Sequence, residues 1–276
     1  MQLRIITLSE NTAGPARVLA EWGLSILVET EGLNILMDTG ASISVPHNAD
    51  ALGINLAQVD KIVLSHGHYD HTGGLRGVLT KTGKVEIIAH PDVWAPKYAR
   101  FAEREHYIGI PFSRQELEGL GASFTLSPEP VWISEDIATT GEIPMITEYE
   151  DIDPNLYIKV DGELIPDPIL DDRALIIKTN VGLVVILGCS HRGVINTLHH
   201  AREVTGMEAI HTVVGGTHLV SASEERVLLT AAALKEFGVQ RVGVSHCTGL
   251  PKAALLAREL GDVFFYNNTA TRITVP

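Results

Sequence analysis

The sequence predicts an α/β fold, and three observations support this prediction. Apolar runs such as residues 62–64 and 183–187 have the length and composition of buried strands. Each run ends at a cluster of polar residues and is followed by a segment with helical periodicity. The second half of the chain repeats this order of strand, polar cluster and helix. Because no Pro-, Ser- or Gly-rich linker divides the 276 residues, we expect a single domain over residues 1–276.

In the first half, turn signals set the limits of the predicted elements. Glu31 and Gly32 separate two apolar arms that can pair as a β-hairpin, and Gly53 ends a short helix. Runs bounded in this way predict strands over residues 3–8, 22–29, 33–37, 61–65, 85–89 and 131–140, and helices over residues 46–52 and 72–79.

The second half begins with two apolar strands around residues 180–182, and further helix and strand units follow. Gly206 ends the first of these helices, and Ser221 with Glu224 predicts a capping box that starts the second. The pattern predicts strands over residues 174–179, 183–187, 210–214, 241–245 and 263–266, and helices over residues 194–204 and 252–260 and from the capping box to residue 237.

One stretch concentrates residues that bind metal ions. Residues 65–75, Ser-His-Gly-His-Tyr-Asp-His-Thr-Gly-Gly-Leu, contain three imidazoles and one carboxylate within six positions. If the preceding strand stays extended into this stretch, His66 and His68 point the same way and can bind one ion. Asp70 and His71 then lie in the turn that opens the next helix, where they can hold a second ion. A polar loop with surface histidines is the alternative, and the H-x-H-x-D-H spacing disfavours it.

Residues 65–74, Ser-His-Gly-His-Tyr-Asp-His-Thr-Gly-Gly, resemble the signature of the metallo-β-lactamase superfamily. The resemblance implies a four-layer αββα fold and one or two bound metal ions. In that family the position of Asp38 lies beneath the metal site, which implies a hydrogen bond from Asp38 to a ligand histidine. A simple turn former within Asp-Thr-Gly is the other interpretation of this residue.

A second group of candidate ligands follows the strand over residues 183–187. His191 is the favoured ligand of this group. Cys189 stands where many superfamily members carry a metal-bridging aspartate, and some β-lactamases carry a metal-binding cysteine there. A thiolate ligand would favour zinc, whereas the usual fate of a free cysteine is that of a small buried hydrophobe. Arg192 could clamp a phosphate or carboxylate of the substrate, or it could be an exposed arginine at a helix start.

Two later strand ends carry further candidates. His218 follows the strand over residues 210–214, and strand ends collect at one edge of such a sheet. We therefore expect His218 near the metal site, as a ligand or as a proton donor to a leaving group. His246 matches the final histidine ligand of the superfamily. A disulfide between Cys189 and Cys247 is disfavoured, because two cysteines that each lie close to a histidine suit metal chemistry in a reducing compartment.

One motif departs from the family pattern. In much of the superfamily a third metal motif reads Thr-Pro-Gly-His-Thr-Pro, whereas residues 140–144 here read Thr-Gly-Glu-Ile-Pro. Glu142 therefore stands where that histidine would be, and it could bind metal through oxygen, hydrogen-bond the substrate or only support the loop. The position of His90, at a strand end before proline, favours a structural role for this residue over a place in the active-site wall.

Two segments have the character of insertions. Residues 94–130 place Lys97 and Arg100 among aromatic side chains. This pattern indicates either a lid that binds an anionic, ring-bearing substrate or a solvated amphipathic helix. Residues 142–172 carry ten acidic residues against one lysine, which is typical of a solvated face or a mobile flap.

Composition restricts the class of partner. A formal charge of −13 repels phosphate backbones, so we expect no nucleic-acid partner. Because the sequence has no stretch of about 18 apolar residues and no apolar signal region, we expect a cytoplasmic protein with no membrane partner. The N-terminal hairpin could serve a homodimer interface.

Three motifs narrow the resemblance. Residues 188–193, Gly-Cys-Ser-His-Arg-Gly, residues 215–219, Gly-Gly-Thr-His-Leu, and residues 246–249, His-Cys-Thr-Gly, together resemble the branch of dihydropterin-aminobenzene-phosphate synthase-like proteins. Archaeal members of that branch are assigned to joining a pterin to a ribosylaminobenzene phosphate, and bacterial members are mostly called metal-dependent hydrolases. The favoured interpretation is a metal-dependent hydrolase that acts on a small anionic phosphoester or cyclic ester.

In this interpretation one or two divalent ions, zinc in the first place and manganese or iron as alternatives, lower the pKa of bound water from about 16 to about 7. Asp70 orients the nucleophile and takes its proton, and His218 protonates the departing oxygen. The ligands are His66, His68, Asp70, His71, Cys189, His191 and His246. A transferase in which the metals bind a diphosphate leaving group, and a metal-stabilised binding protein without turnover, are the alternatives.

Overall fold

The computed structural model describes residues 3–14, 17–101 and 104–276, so residues 1–2, 15–16 and 102–103 of the predicted domain lie outside the described residues. Among the described helices, none is long and apolar enough to cross a bilayer. The strands are β1 (Leu3–Ser9), β2 (Ser25–Glu29), β3 (Asn34–Met37), β4 (Lys61–Val63), β5 (Val85–Ala89), β6 (Lys97–Phe101), β7 (Arg104–Tyr107), β8 (Ala122–Leu126), β9 (Ile137–Thr139), β10 (Leu156–Val160), β11 (Glu163–Pro166), β12 (Ala174–Thr179), β13 (Gly182–Leu187), β14 (Ile210–Gly216), β15 (Arg241–Ser245), β16 (Phe264–Tyr266) and β17 (Arg272–Val275). The helices are α1 (Ser44–Leu52), α2 (Tyr69–Thr72), α3 (Leu75–Thr82), α4 (Arg114–Gly119), α5 (Val194–Thr205), α6 (Glu224–Glu236) and α7 (Leu250–Leu260), with 3-10 turns at Leu56–Gln58, Pro91–Trp94, His246–Thr248 and Gly261–Val263.

The first sheet contains seven strands in the order β17-β1-β2-β3-β4-β5-β8. Strands β1, β2 and β3 are antiparallel, and the β2–β3 hairpin sets Leu27 opposite Leu36. From β3 onward the neighbouring strands β4, β5 and β8 run parallel. The carboxyl ends of β3 and β4 therefore lie at the same edge of this sheet, where ligands bind in open parallel sheets.

The second sheet contains six strands in the order β16-β15-β14-β13-β12-β9. Strands β12 and β13 form an antiparallel hairpin, and β13, β14, β15 and β16 run parallel. Helices α5, α6 and α7 connect these parallel strands in turn. The carboxyl ends of β13, β14 and β15 consequently share one edge as well.

The two large sheets pack face to face. Their inner faces supply a common core of aliphatic side chains, such as Ile35 and Val63 from the first sheet and Ile177 and Val184 from the second. Helices α1, α3 and α4 cover the outer face of the first sheet, and helices α5, α6 and α7 cover the outer face of the second. The layers are helix, sheet, sheet and helix, so the predicted α/β fold with four layers is confirmed.

A third, smaller sheet unites the two segments that resemble insertions. Its order is β11-β10-β6-β7, so that one hairpin comes from residues 94–130 and the other from residues 142–172. The alternative of an amphipathic helix around Lys97 is wrong. Along β6, Lys97 and Ala99 are buried, whereas Tyr98 and Arg100 are partly exposed. This alternation with a period of two is that of a strand and not of a helix.

The acidic segment differs from the predicted solvated face. Asp167, Asp171 and Asp172 near its end are buried. The Nζ atom of the buried Lys97 lies 2.9 Å from Asp167 and 2.8 Å from Asp171. A buried cation therefore compensates part of the acidic charge that the sequence assigned to solvent.

Three element boundaries also differ from prediction. The strand expected over residues 131–140 is limited to β9, because the Ser134 hydroxyl accepts a bond from the Asp136 amide and the chain turns back there. Helix α6 is capped by Ser223, whose hydroxyl accepts from the Arg226 amide at 3.2 Å, and Ser221 does not take this role. The helix expected over residues 72–79 is split into α2 and α3.

Gly74, between α2 and α3, lies where two segments of backbone approach closely. A Cβ atom at this position would lie 1.9 Å from the carbonyl oxygen of Thr39, so only glycine fits the close approach of the two backbones. The contact holds the segment between α2 and α3 against the turn that follows β3.

Candidate metal centre

The residues predicted to bind metal, and Asp38, which was predicted to support one of them, follow the carboxyl ends of four strands. Asp38 follows β3, the loop over residues 66–71 follows β4, Cys189 and His191 follow β13, and His246 follows β15. The parallel arrangement of β3 with β4 and of β13 with β15 brings these ends to one rim of the paired sheets. The distances below show which side chains meet there.

One group, here called the first ligand set, consists of His66, His68 and His191. The Nε2 atom of His66 lies 2.9 Å from Nδ1 of His68 and 3.3 Å from Nε2 of His191. All three imidazoles are buried. Residues 125 positions apart in the chain therefore direct ring nitrogens toward one another.

The second ligand set consists of Asp70, His71 and His246. The Nε2 atom of His246 lies 3.3 Å from Nε2 of His71 and 3.2 Å from Oδ2 of Asp70. The three side chains come from α2 and from the turn after β15, and all are buried.

Cys189 lies between the two ligand sets. Its Sγ atom is 3.0 Å from Nε2 of His71, and it also lies within 4.8 Å of ring nitrogens of His66 and His191. Both cysteines of the chain are free and buried, and Cys189, His218 and Cys247 form a further group within 4.8 Å. Burial raises the pKa of the Cys189 thiol well above its ordinary value, so a nearby cation would be needed to form the thiolate.

The donor atoms of the two ligand sets are better explained by coordination of a metal ion than by hydrogen bonds to one another. A neutral imidazole carries one N–H, so three ring nitrogens that face each other cannot all be paired by hydrogen bonds. Tetrahedral zinc with Zn–N distances of about 2.0–2.1 Å separates its ligand nitrogens by roughly 3.3 Å, close to the spacings in both ligand sets.

Electrostatics prepare the two sets differently. Burial holds the pKa of His66 and of His191 well below the ordinary value and lowers that of His68 to about 3, so these imidazoles keep the neutral form that binds metal. Burial also opposes the charge of His71, but the Asp38 carboxylate outweighs it and raises the pKa of His71 to about 9. Metal binding at His71 would therefore release a proton.

Asp38 supports the metal loop from below. Its Oδ1 atom accepts a bond from the Ser65 amide at 2.7 Å, and its Oδ2 atom accepts from the Ser65 hydroxyl at 2.7 Å. Oδ2 also lies 2.7 Å from Nδ1 of His71. The predicted hydrogen bond between Asp38 and a histidine of the loop is confirmed, and it directs Nε2 of His71 toward the second ligand set.

Two residues near the N-terminus hold His246, and sequence reasoning missed both. The Glu10 carboxylate accepts from the His246 amide at 2.8 Å, and Oδ1 of Asn11 lies 2.9 Å from Nδ1 of His246. As an acceptor at Nδ1, the Asn11 amide oxygen leaves Nε2 of His246 free to bind a cation. Because these contacts join residues more than 230 positions apart, no local pattern in the sequence indicates them.

A buried ion-pair group, also missed, supports the first ligand set. The Asp171 carboxylate accepts from the amide of Gly67 at 2.7 Å, between His66 and His68. Its other oxygen lies 2.8 Å from Nζ of Lys97. The two segments over residues 94–130 and 142–172 therefore position the backbone between His66 and His68. In the sequence, the only signal for this group was the acidic run over residues 142–172.

His218 lies beside the first ligand set. Its ring centroid is 4.1 Å from that of His191, and its Nε2 atom is 3.8 Å from Oδ2 of Asp153. Burial lowers the pKa of His218, but the Asp153 carboxylate and the Cys247 sulfur outweigh it and raise the pKa to about 9. The predicted position of His218 near the metal site is therefore found, and its partner Asp153 is new.

The two predicted substrate-binding residues have other contacts. Nε of Arg192 donates to the carbonyl of Ile143 at 2.6 Å, so its guanidinium supports the loop after Thr140. The Glu142 carboxylate lies 3.1 Å from Nε2 of the buried His90. Neither Arg192 nor Glu142 belongs to the ligand groups found among the described residues, and their contact with a substrate stays a prediction.

Backbone strain concentrates at this rim. Four non-glycine residues of the centre have left-handed φ angles, at Asp38 (+61°), Ser190 (+55°), His218 (+46°) and His246 (+51°). Such conformations cost about 1–3 kcal/mol each and persist where surrounding contacts over-determine them. The network around Asp38 and His246 supplies those contacts.

Comparisons with known proteins agree with this geometry. A sequence model of the metallo-β-lactamase superfamily matches residues 23–197. The 7,8-dihydropterin-6-methyl-4-(β-D-ribofuranosyl)-aminobenzene-5′-phosphate synthase of Methanocaldococcus jannaschii is 33% identical over 276 residues, which covers 95% of this chain and 93% of that protein.

Solved structures show the same relationship. A protein named as a metal-dependent hydrolase of the β-lactamase superfamily superposes with a TM-score of 0.86 at 28% identity, over 99% of both chains. A metallo-β-lactamase fold protein from Bacillus subtilis shares the fold, with a TM-score of 0.59 at 14% identity over 100% of both chains. The chain belongs to the metallo-β-lactamase superfamily.

Proposed function

We propose that the protein is a metal-dependent hydrolase of a small anionic substrate, a phosphoester or a cyclic ester. The observation that carries this proposal is the meeting of the two ligand sets, with Cys189 between them, at one rim of the sheets. Two groups of neutral or ionised donors at this spacing suit a pair of divalent cations, most simply zinc. Such ions supply Lewis-acid activation of water and of a phosphoryl or carbonyl oxygen.

Asp70 is assigned to activate the attacking water molecule. Its carboxylate belongs to the second ligand set, and one oxygen lies 3.2 Å from Nε2 of His246. The side chain is slightly exposed, with 12% of its surface open to solvent, so it can meet an incoming water molecule. In this role Asp70 orients the attacking water and accepts its proton.

His218 is assigned to the leaving group. Its ring packs at a tilt against that of His191, and its Nε2 atom lies 3.8 Å from Oδ2 of Asp153. A carboxylate that pairs with one ring nitrogen favours the protonated imidazole, which can then donate to a departing oxygen. Asp70 belongs to the second ligand set and His218 lies beside the first, which suits attack and departure on different sides of the reacting atom.

The test combines metal analysis with a substrate panel. Purified protein is assayed for bound metals and then for hydrolysis of phosphomonoesters, phosphodiesters and a lactone, with and without chelator. We expect hydrolysis that chelator abolishes and that Asp70→Asn lowers by about 10²–10⁴-fold with an unchanged circular dichroism spectrum. The exposed Asp262 provides the matched control, since Asp262→Asn should retain full activity. A metal-loaded protein that hydrolyses none of these compounds would contradict the proposal.

A second candidate function is favoured by a specific observation. The Methanocaldococcus jannaschii relative is named as a synthase of a dihydropterin-linked ribofuranosylaminobenzene phosphate. In that case the same centre would bind a diphosphate leaving group, and the protein would turn over only with a pterin diphosphate and a ribosylaminobenzene phosphate together. A stably metal-loaded protein that is inactive in both assays would instead support a metal-stabilised binding protein without turnover.

A further inference from the structure

A cavity of about 400 Å³ adjoins the metal centre on the side of His246. Its walls come from the loop between β1 and β2, from the turn after β15 with the start of α7, and from Val220, Tyr266 and Asn268. The volume lies within the range of about 300–1,000 Å³ that is typical of small-molecule sites. His246 forms part of both the cavity wall and the second ligand set. One molecule could therefore occupy the cavity and reach the metal centre at the same time.

The walls are largely apolar. Trp22, Tyr266 and Leu250 all line the cavity, yet each remains open to solvent, with 49%, 44% and 66% of its surface exposed. The Trp22 ring lies 5.1 Å from the ring of His246, between centroids. Large apolar side chains that remain exposed beside a site of polar chemistry indicate a binding surface.

The polar groups of the cavity restrict the kind of occupant. Four uncharged polar residues line it, and so do the carboxylate of Glu10 and the amide oxygen of Asn11, which are both engaged with His246. The negative charge of Glu10 also disfavours a second anionic group in this space. The cavity therefore suits an uncharged, apolar moiety, while anionic groups belong at the ligand sets.

We infer that this cavity holds an uncharged planar ring of the substrate, stacked on Trp22, while the anionic group of the same molecule lies at the ligand sets. The inference rests on the proposed function and adds the place in the fold that holds the ring of an anionic substrate. Aromatic side chains prefer offset or edge contacts with rings at centroid distances of about 4.5–7 Å. Trp22, which is tilted against His246 and 49% exposed, can make such a contact.

The test uses two probes that share an anionic head and differ in the ring. Phenylphosphonate and methylphosphonate are titrated into the metal-loaded protein, and their dissociation constants are measured by calorimetry. We expect phenylphosphonate to bind at least about tenfold more tightly, because ring burial and stacking act only on that probe. Quenching of Trp22 fluorescence by phenylphosphonate alone is the second expected readout.

Two variants and one control locate the effect. Trp22→Ala should remove most of the tenfold preference for phenylphosphonate, and Trp22→Phe should retain part of it. Leu250→Ser changes a side chain at the cavity mouth that is 66% exposed, so it tests the same cavity with little risk to folding. Trp132 is similarly exposed, at 46%, and it does not line the cavity. Trp132→Ala should therefore leave the preference unchanged.

The outcomes separate this inference from the proposed function. Equal binding of the two phosphonates by the wild-type protein, or a preference that survives both Trp22→Ala and Leu250→Ser, would overturn the ring-binding cavity. Binding of methylphosphonate with no ring preference would leave the anion site of the proposed function intact. If neither phosphonate binds the metal-loaded protein, both the anion site and the cavity fail.

Discussion

Asp38 and His71 are 33 residues apart in the chain, and Oδ2 of Asp38 lies 2.7 Å from Nδ1 of His71. Both side chains are buried, and the pair connects the end of β3 to the second ligand set. The same carboxylate accepts hydrogen bonds from the amide and the hydroxyl of Ser65. One buried carboxylate therefore sets both the ring orientation of His71 and the start of the loop over residues 66–71.

Replacement of Asp38 by asparagine tests this relationship. Asparagine tolerates the left-handed φ of +61° and can still accept from the Ser65 amide, so the change mainly removes the charge beside His71. We expect the affinity for zinc to fall by about 10–100-fold, measured by competition with a chromogenic chelator. Asp161→Asn is the matched control, because Asp161 is exposed and also has a positive φ, of +51°. Equal zinc affinity in Asp38→Asn and wild type would show that the carboxylate does not support the ligand.

Gly188 tests how closely the two halves of the chain approach at the centre. A Cβ atom there would lie 2.2 Å from Oγ and 2.3 Å from Cβ of Ser65, and Ser65 is itself tied to Asp38. We expect Gly188→Ala to lower the free energy of unfolding by about 1–3 kcal/mol through overpacking, measured by urea denaturation. Gly119 in α4 has open space around it, so Gly119→Ala should be neutral or slightly stabilising. Wild-type stability in Gly188→Ala would show that the two halves of the chain are not closely packed between Gly188 and Ser65.

Lys97 provides a test of the buried ion-pair group. It is 1% exposed and pairs with Asp167 and Asp171, so Lys97→Met would leave two buried carboxylates without a cation. We expect a loss of about 3–5 kcal/mol in the free energy of unfolding, measured by chemical denaturation. Lys84→Met, at an exposed position, should change stability by no more than about 0.5 kcal/mol. A loss in Lys97→Met as small as in this control would refute a structural role for the buried lysine.

Asp172 predicts a pH dependence of stability in the metal-free protein. Burial raises the pKa of its carboxyl to about 7, against about 3.9 in an unfolded chain. Between these values the unfolded carboxyl has lost its proton and the folded one retains it, so the free energy of unfolding falls as pH rises from about 4 to about 7. Over roughly three pH units this contribution reaches about 4 kcal/mol.

Asp172→Asn cannot titrate, and it should therefore escape this fall. We expect its free energy of unfolding, relative to wild type, to rise between pH 4.5 and pH 7.5 (roughly the window set by the two pKa values), measured by urea denaturation. Asp262→Asn, at an exposed site, should follow the wild-type pH profile. Parallel profiles for Asp172→Asn and wild type would exclude a raised pKa at Asp172.

The local character of the centre could be predicted because its signals are contiguous. The H-x-H-x-D-H spacing identified His66, His68, Asp70 and His71 within one loop, and apolar runs identified the strands that end at the rim. The segments over residues 94–130 and 142–172 were harder to interpret. Their composition indicates a lid or a solvated helix for the first and a solvated face or a mobile flap for the second, whereas pairing between β6 and β10 forms a sheet in which Lys97 is buried.

The sequence by itself determined the fold class and the types of ligand, because strand periodicity and ligand spacing act over a few neighbouring residues. Only the tertiary structure decided what holds and surrounds those ligands. The contacts of Asp171 with Gly67 and of Glu10 with His246 join positions more than 100 residues apart, and the cavity beside Trp22 exists only where four separate segments of the chain meet. Such pairings depend on how sheets and insertions pack, which is a property of the whole chain and not of any single stretch.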